Sequence, residues 1–326
     1  MTFARRRILH LAAGAAVAAL AGGARAEDYP ARPVRILVAT SAGGSTDLVA
    51  RVIAHWLGTR LGQQFVVENR PGGGNNIGTE AAVRATPDGY TLFMANSVNA
   101  INTTYYDNLS FDFTTDMAPV ANVLRSALLV DVHPSMPAQT IPELIAYAKA
   151  NAGKVNMGSG GSGSTGHVAG ELFQMMAGVR MVHVPYRGES LALADLIAGQ
   201  VQVVFATTGS SIGFLKGGQL RALAVTSATP WAGLPSAPPL AQVLPGYEAN
   251  SWSDLCAPKD TPASVVDVLN RAVNAGLADP EVRARLAELG APVDPDANAP
   301  DDFGKTIRDD TKKWADVIRF SGAKAK

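Results

Sequence analysis

The chain has 326 residues, of which 47% are apolar and 17% charged, and it carries a single cysteine, Cys256. That apolar share excludes global disorder, and one cysteine excludes both an intramolecular disulfide and a cysteine-built zinc cluster. The formal net charge is zero, but four of the arginines (Arg5, Arg6, Arg7 and Arg25) fall in a leader. The remainder holds 24 basic against 28 acidic residues, a net of −4, with no basic run that would engage nucleic acid.

The leader comes first. Arg5, Arg6 and Arg7 form a basic region, Ile8 to Leu20 is a short apolar run, and Ala24-Arg25-Ala26 supplies small residues for cleavage. This is the pattern of a secretory signal peptide, too short for a membrane span. Residues 1–26 are therefore expected to be removed and the mature protein exported to the periplasm. The Arg5-Arg6 pair also admits twin-arginine export; the general secretory route is the expectation. Cytosolic nucleotide cofactors are absent there, so no cofactor is expected.

Apolar runs then alternate with helical patterns. Val34 to Ala39 predicts a buried strand, and Thr46 to Leu61 a helix with Leu48, Val52, Ile53, Trp56 and Leu57 at helical spacing. Gln64 to Glu68 predicts a strand, Ile77 to Ala85 a helix, and Tyr90 to Ala95 a third strand. The series implies a parallel sheet covered on both faces. Pro119 to His133 reads as a crossing into a second half, where the pattern recurs. Strands are expected at Lys154–Met157, Met181–Val184, Gln200–Phe205 and Leu220–Val225, with helices at His167–Ala177 and Leu191–Ala198. Pro230 to Pro245 reads as an extended return linker, followed by helices at Pro262–Leu277, Pro280–Leu289 and Pro300–Arg319. Two lobes follow from this order: residues 27–125 plus 250–326, and residues 126–249 with the linker at about 228–249. Two crossings would leave a cleft at the carboxyl ends of both sheets.

Each half has a glycine-rich loop after its first strand. Thr40-Ser41-Ala42-Gly43-Gly44-Ser45-Thr46-Asp47 leads into a helix start, where backbone N–H groups and the helix dipole favour an anion. The same loop is also compatible with an ordinary capped turn. Gly158-Ser-Gly-Gly-Ser-Gly-Ser-Thr-Gly166 is its counterpart, offering Ser159, Ser162, Ser164 and Thr165. It contains a formal G-x-G-x-x-G, but no acid follows at the position that would grip a ribose, and no Walker lysine is present. Gly209-Ser210-Ser211-Ile212-Gly213 matches a nucleophile elbow, yet no histidine lies beyond His183, against the order such hydrolases use. His55, His133, His167 and His183 form no closely spaced ligand pair, so no metal is expected. His167 suits local hydrogen bonding or a ligand carboxylate, and His183 a satisfied core position.

Several segments together carry a resemblance: Tyr29 to Arg35, Val66 to Gly73, Pro87 to Leu92, Glu143 to Lys149, His167 to Phe173, His183 to Gly188, Leu220 to Ser227, Pro280 to Arg283 and Lys313-Trp314. The chain resembles the Bug family, the TctC-like periplasmic solute receptors of tripartite tricarboxylate transporters. The resemblance spans the whole chain. It implies an α/β type II periplasmic binding protein fold, two lobes with mostly parallel sheets and helices around a cleft. It also implies a carboxylate ligand, membrane permease subunits as partners, and a non-enzymatic monomer. The site residues it implies are Ser41, Gly43, Gly44 and Asp47 in the first loop and Asn96 and Ser97 after the third strand. In the second lobe they are Ser159, Ser162, Ser164 and His167.

Two departures bear on the ligand. The first loop lacks the prolines of the family pattern. The third strand of the second lobe ends Val204-Phe205-Ala206 where the family has Met-Phe-Asp, leaving Thr207 and Thr208 as neutral hydrogen-bonding groups. The loss of that aspartate points to a mono- or dicarboxylate without a cationic group, aromatic or otherwise apolar in the middle. A sensor that docks on a membrane kinase and an exported hydrolase centred on Ser211 are the alternatives.

Overall fold

The computed structural model describes residues 29–289, 291–292 and 298–325. The expected leader lies outside the described residues.

Strand β1 (Val34–Val38) buries every side chain except Arg35, as an interior parallel strand covered on both faces must. Helix α1 (Ser45–Leu61) turns Val49, Ala50, Ile53, Ala54 and Leu57 inward and stops at Gly62, whose φ of 73° closes the last turn. β2 (Phe65–Asn69), α2 (Asn76–Val83) and β3 (Thr91–Asn96) complete the first repeat. Helix α3 (Ser97–Tyr105) follows β3 with no intervening loop, and a short α4 (Phe113–Asp116) leads into β4 (Met117–Val132). The second half contains α5 (Ile141–Ala150), β5 (Asn156–Ser159), α6 (Thr165–Ala177), β6 (Val182–Pro185), α7 (Glu189–Ile197), β7 (Val203–Thr207), α8 (Thr208–Lys216) and β8 (Arg221–Val225). The return is β9 (Asn250–Pro258), then α9 (Ala263–Ala278), α10 (Pro280–Ala287), β10 (Ala291–Pro292) and α11 (Pro300–Ser321).

The strand order is β2-β1-β3-β9-β4-β7-β5-β6, with β8 and β10 also pairing β4. Each lobe keeps a parallel trio, β2-β1-β3 in one and β6-β5-β7 in the other. The strands between the trios, β9 and β4, run antiparallel. β4 serves both lobes: Met117 to Ala127 pair with β9, and Leu128 to Val132 pair with β7. At the changeover the two connecting segments lie side by side, Ser126 opposite Ser251 and Ala127 opposite Asn250.

The β4–β9 ladder shifts register between Pro119 and Leu124, and side chains replace the lost ladder bonds. Asn298 accepts the Asn122 N–H at 2.7 Å, and Asp254 accepts the Val123 N–H at 2.7 Å. Buried polar backbone is thereby satisfied. Asp254 is itself bonded to Arg125 at 2.6 Å, and Arg125 also reaches Asn122 and, on α11, Thr306.

Separate apolar cores lie on the sheet faces. Val49, Ile53, Leu92, Leu255 and Leu269 belong to one first-lobe core; Val130, Val168, Phe173 and Phe205 belong to a second-lobe core. Helix α11 enters both lobes. Its Phe303 and Ile307 pack with Phe113 and Trp252, while Trp314, Val317 and Ile318 pack in the second-lobe core. Trp252 Nε1 donates to Asp310 at 2.7 Å and ties α11 to the return strand.

Candidate functional site

Four helices begin at the floor of the cleft, and each brings a buried hydroxyl: Thr46 on α1, Ser97 on α3, Thr165 on α6 and Thr208 on α8. The placement follows from topology, because the helices start where β1, β3, β5 and β7 end. The hydroxyls join through the strands between the lobes. Ser97 Oγ lies 2.8 Å from Thr165 Oγ1 across the lobes and 3.3 Å from Ser251 Oγ. Ser126 Oγ lies 3.0 Å from Thr208 Oγ1, and Ser253 Oγ donates to Thr46 Oγ1 at 3.3 Å. Each helix start carries roughly half a positive charge from its backbone N–H groups, reduced where Asn96 and Ser164 cap α3 and α6 and where the Glu189 carboxylate sits at the head of α8. Their convergence, with hydroxyl donors between them, makes an anion-attracting floor.

The expected first-loop residues divide into two groups. Ser41, Gly43 and Gly44 are exposed at the mouth. Gly44 starts α1 without a side-chain cap. Asp47 faces inward, with a side chain 2% exposed. It accepts from the Gly43 N–H at 2.8 Å, Arg51 Nε at 2.9 Å and Asn69 Nδ2 at 3.0 Å. Burial opposes its ionisation, but these bonds outweigh burial and hold its carboxyl below the ordinary range. Asp47 braces the loop.

Asn96 is a junction. Its Oδ1 accepts from Val98 N at 3.0 Å and Asn75 Nδ2 at 3.1 Å, and its Nδ2 donates to Thr46 at 3.2 Å. It caps α3 and fixes the first loop to it. Ser97, fully buried, makes the contact between lobes.

In the second lobe Ser159 is 1% exposed, and its hydroxyl lies 2.7 Å from His183 Nε2. Ser162 is exposed at the loop tip, and Ser164 caps α6 by accepting the His167 N–H at 3.3 Å. His167 stacks on His183 with ring centroids 3.8 Å apart and accepts the Gly163 N–H on Nδ1 at 3.1 Å. Burial pushes His167 down to about 3, with His183 adding to it, and burial pushes His183 down to about 4. Both rings are therefore neutral at ordinary pH and shape the loop from beneath. Gly163 has φ of 79°, and a Cβ there would lie 3.1 Å from the Tyr105 ring, so only glycine lets α3 press against this loop.

Thr207 is half-buried, and its hydroxyl lies 2.8 Å from Ser210 Oγ; Thr208 is fully buried. The Ser211 of the nucleophile-like motif is 0% exposed and donates its hydroxyl to Asp131, so it presents no open nucleophile. Among the described residues no group of three or more His, Cys, Asp or Glu could hold a metal ion. No described helix is long and apolar enough to cross a membrane.

The sequence reading did not place Ser126, Ser251 and Ser253, or Glu189. Ser251 and Ser253 had a signal. They stand two residues apart on either side of Trp252, the period that puts two hydroxyls on one face of a strand. A hollow of about 640 Å3 lies elsewhere, at the amino ends of β1 and β3 among Arg32, Arg35 and Arg84. Those arginines are already paired with Asp88, Glu68 and Glu80, and the hollow has no helix start facing it, so it is not the site.

Residues 49–322 match the family described as tripartite tricarboxylate transporter family receptor. The altered first loop falls just before the matched range. BugT of Bordetella pertussis is 34% identical over 314 residues, covering 95% of this chain and 96% of that protein. The solved structure of R. palustris Rpa4515 with adipate superposes with a TM-score of 0.82 at 34% identity, covering 90% of this chain and 99% of that one. MatC (Rpa3494) from Rhodopseudomonas palustris with bound malate superposes with a TM-score of 0.81 at 28% identity, covering 89% of this chain and 100% of that one.

Proposed function

The chain belongs to the tripartite tricarboxylate transporter receptor family, and from that membership we propose that it captures a small carboxylate between its two lobes and presents it to membrane permease subunits. The observation that carries this reading is the convergence of four helix starts, with the buried hydroxyls of Thr46, Ser97, Thr165 and Thr208, on the floor between the lobes. The adipate and malate of the two related structures are carboxylates and support the same class. In this reading the mature protein is a periplasmic monomer without catalytic activity, delivered by the leader at residues 1–26. The lobes are residues 27–125 plus 250–326 and residues 126–249. Ser41, Gly43 and Gly44 meet the ligand at the mouth, and Ser162, Ser164 and Thr207 meet it from the second lobe. Asp47, Ser159 and His167 hold those loops in shape.

A site built from backbone dipoles and hydroxyls, with no arginine fork, suits micromolar binding, on the order of −8 kcal/mol. The test is a thermal-shift screen of the mature protein against mono- and dicarboxylates, aliphatic and aromatic, followed by calorimetry. Saturable stabilisation with the compound recovered unchanged supports a receptor, because stabilisation follows RT ln(1 + [L]/Kd). The absence of a shift with every carboxylate would sink the reading.

A further inference from the structure

Glu189 opens α7 beside the second glycine loop: a Cβ at Gly160 would lie 3.0 Å from Glu189 N, so loop and helix head abut. Its side chain crosses to the head of α8. Thr207 N donates to both carboxylate oxygens at 3.2 Å, and Thr207 Oγ1 donates to Oε1 at 2.7 Å. Three bonds to one neighbour fix the carboxylate in place. They leave lone pairs free, since an ionised carboxylate accepts at about four positions and Oε2 receives one bond.

The group stands at the carboxyl ends of β5, β6 and β7, the edge that carries the second loop and Thr208. It is half-buried and so reachable. No Lys, Arg or His among the described residues forms an ion pair with it. Ala206, one residue before Thr207, is completely buried among Ala192, Leu193 and Val204 and offers the cleft nothing polar. The lone carboxylate therefore sits at one of the four helix heads of the floor, that of α8, and makes that corner of the cleft unlike the other three.

We infer that Glu189 sets ligand specificity by accepting a hydrogen bond from a hydroxyl or ammonium group on the carbon chain of the bound acid. The inference rests on the receptor reading above. A charged hydrogen bond made to a fixed acceptor favours a donor-bearing acid. A second carboxylate brought to the same place is opposed by like charge. The expectation from Ala206 alone is a ligand without a cationic group; Glu189 brings a carboxylate to the same edge from the head of α7.

The test is calorimetric titration of the mature protein with two matched sets: succinate, malate and aspartate, and phenylacetate, mandelate and phenylglycine. Wild type is expected to bind a hydroxyl- or amino-bearing acid more tightly than its parent in at least one set. Glu189→Gln, which keeps an acceptor for Thr207, is expected to reduce that preference about tenfold or more, with the parent acid bound as well or better. Glu189→Asp, which keeps the charge but withdraws it by one methylene, is expected to fall between the two. Melting temperatures of both variants report whether the fold is kept. A wild type without the preference, or variants with an unchanged ratio, overturns the inference and leaves the receptor reading standing. A wild type that binds none of the acids overturns both.

Discussion

Ser97 and Thr165 meet hydroxyl to hydroxyl at 2.8 Å, one at the head of a first-lobe helix and the other at the head of a second-lobe helix. Both are buried, so the Thr165 hydroxyl depends on Ser97, and the Ser97 hydroxyl on Thr165 or Ser251. Ser97→Ala is expected to cost about 1–3 kcal/mol, because it leaves a buried partner unsatisfied. Thr165→Val should cost a similar amount, and the double variant less than the sum. A urea double-mutant cycle measures this; strict additivity would show that the pair does not interact in solution.

The stacked histidines predict a loss of stability in acid. The unfolded chain takes up a proton at each histidine near the ordinary 6.5, while the folded rings resist to about 3 and about 4. Stability therefore falls as pH drops below 6.5 and continues to fall towards pH 3, at up to about 1.4 kcal/mol per pH unit for His167. His167→Asn, whose amide oxygen can still accept the Gly163 N–H, should flatten the slope between pH 6.5 and pH 4. Parallel wild-type and variant curves in urea unfolding would contradict this.

Asp131 predicts the opposite slope at higher pH. Burial raises it to about 8, the Ser211 hydroxyl offsets part of that, and the charge of Glu189 adds to it. The folded protein keeps this carboxyl protonated at neutrality, whereas the unfolded chain releases the proton above 3.8. The associated stability is complete below that value and is lost as pH rises to about 8. Asp131→Asn does not titrate, so its stability relative to wild type should improve steadily from pH 5 to pH 8. A constant difference over that range would show that Asp131 is not protonated in the folded state.

Arg125→Met is expected to cost about 3–5 kcal/mol, because it leaves the fully buried Asp254 without its cation. Burial already raises the Asp254 carboxyl despite Arg125 and the backbone bonds from Val123 and Leu124. Replacing both residues with apolar side chains of similar volume should recover much of the loss. Chemical denaturation of the three variants checks this.

The first repeat, from β1 to β3, and both glycine loops were legible because their signals are local: an apolar run, a helical period, a glycine turn. α3 and α8 were not. Each follows its strand without a loop, at Asn96-Ser97 and Thr207-Thr208, and α3 is rich in asparagine and threonine, which favour helices poorly. Tertiary bonds sustain it, among them Asn99 Nδ2 to Thr79 at 2.7 Å and Asn102 Nδ2 to the Gly74 carbonyl at 2.6 Å. The roles of Asp47, Ser159 and Glu189 depend on partners 18 to 24 residues away, which no local pattern reveals.

Helix α11 places Phe303 and Ile307 in one lobe and Trp314, Val317 and Ile318 in the other. α3 does the same with Ala100 and Ile101. Neither lobe therefore owns a complete hydrophobic interior. Melting one strips shared side chains from the other, so heat should unfold this two-lobed chain in a single cooperative transition. Ligand bound between the lobes would raise that one melting temperature for the whole molecule.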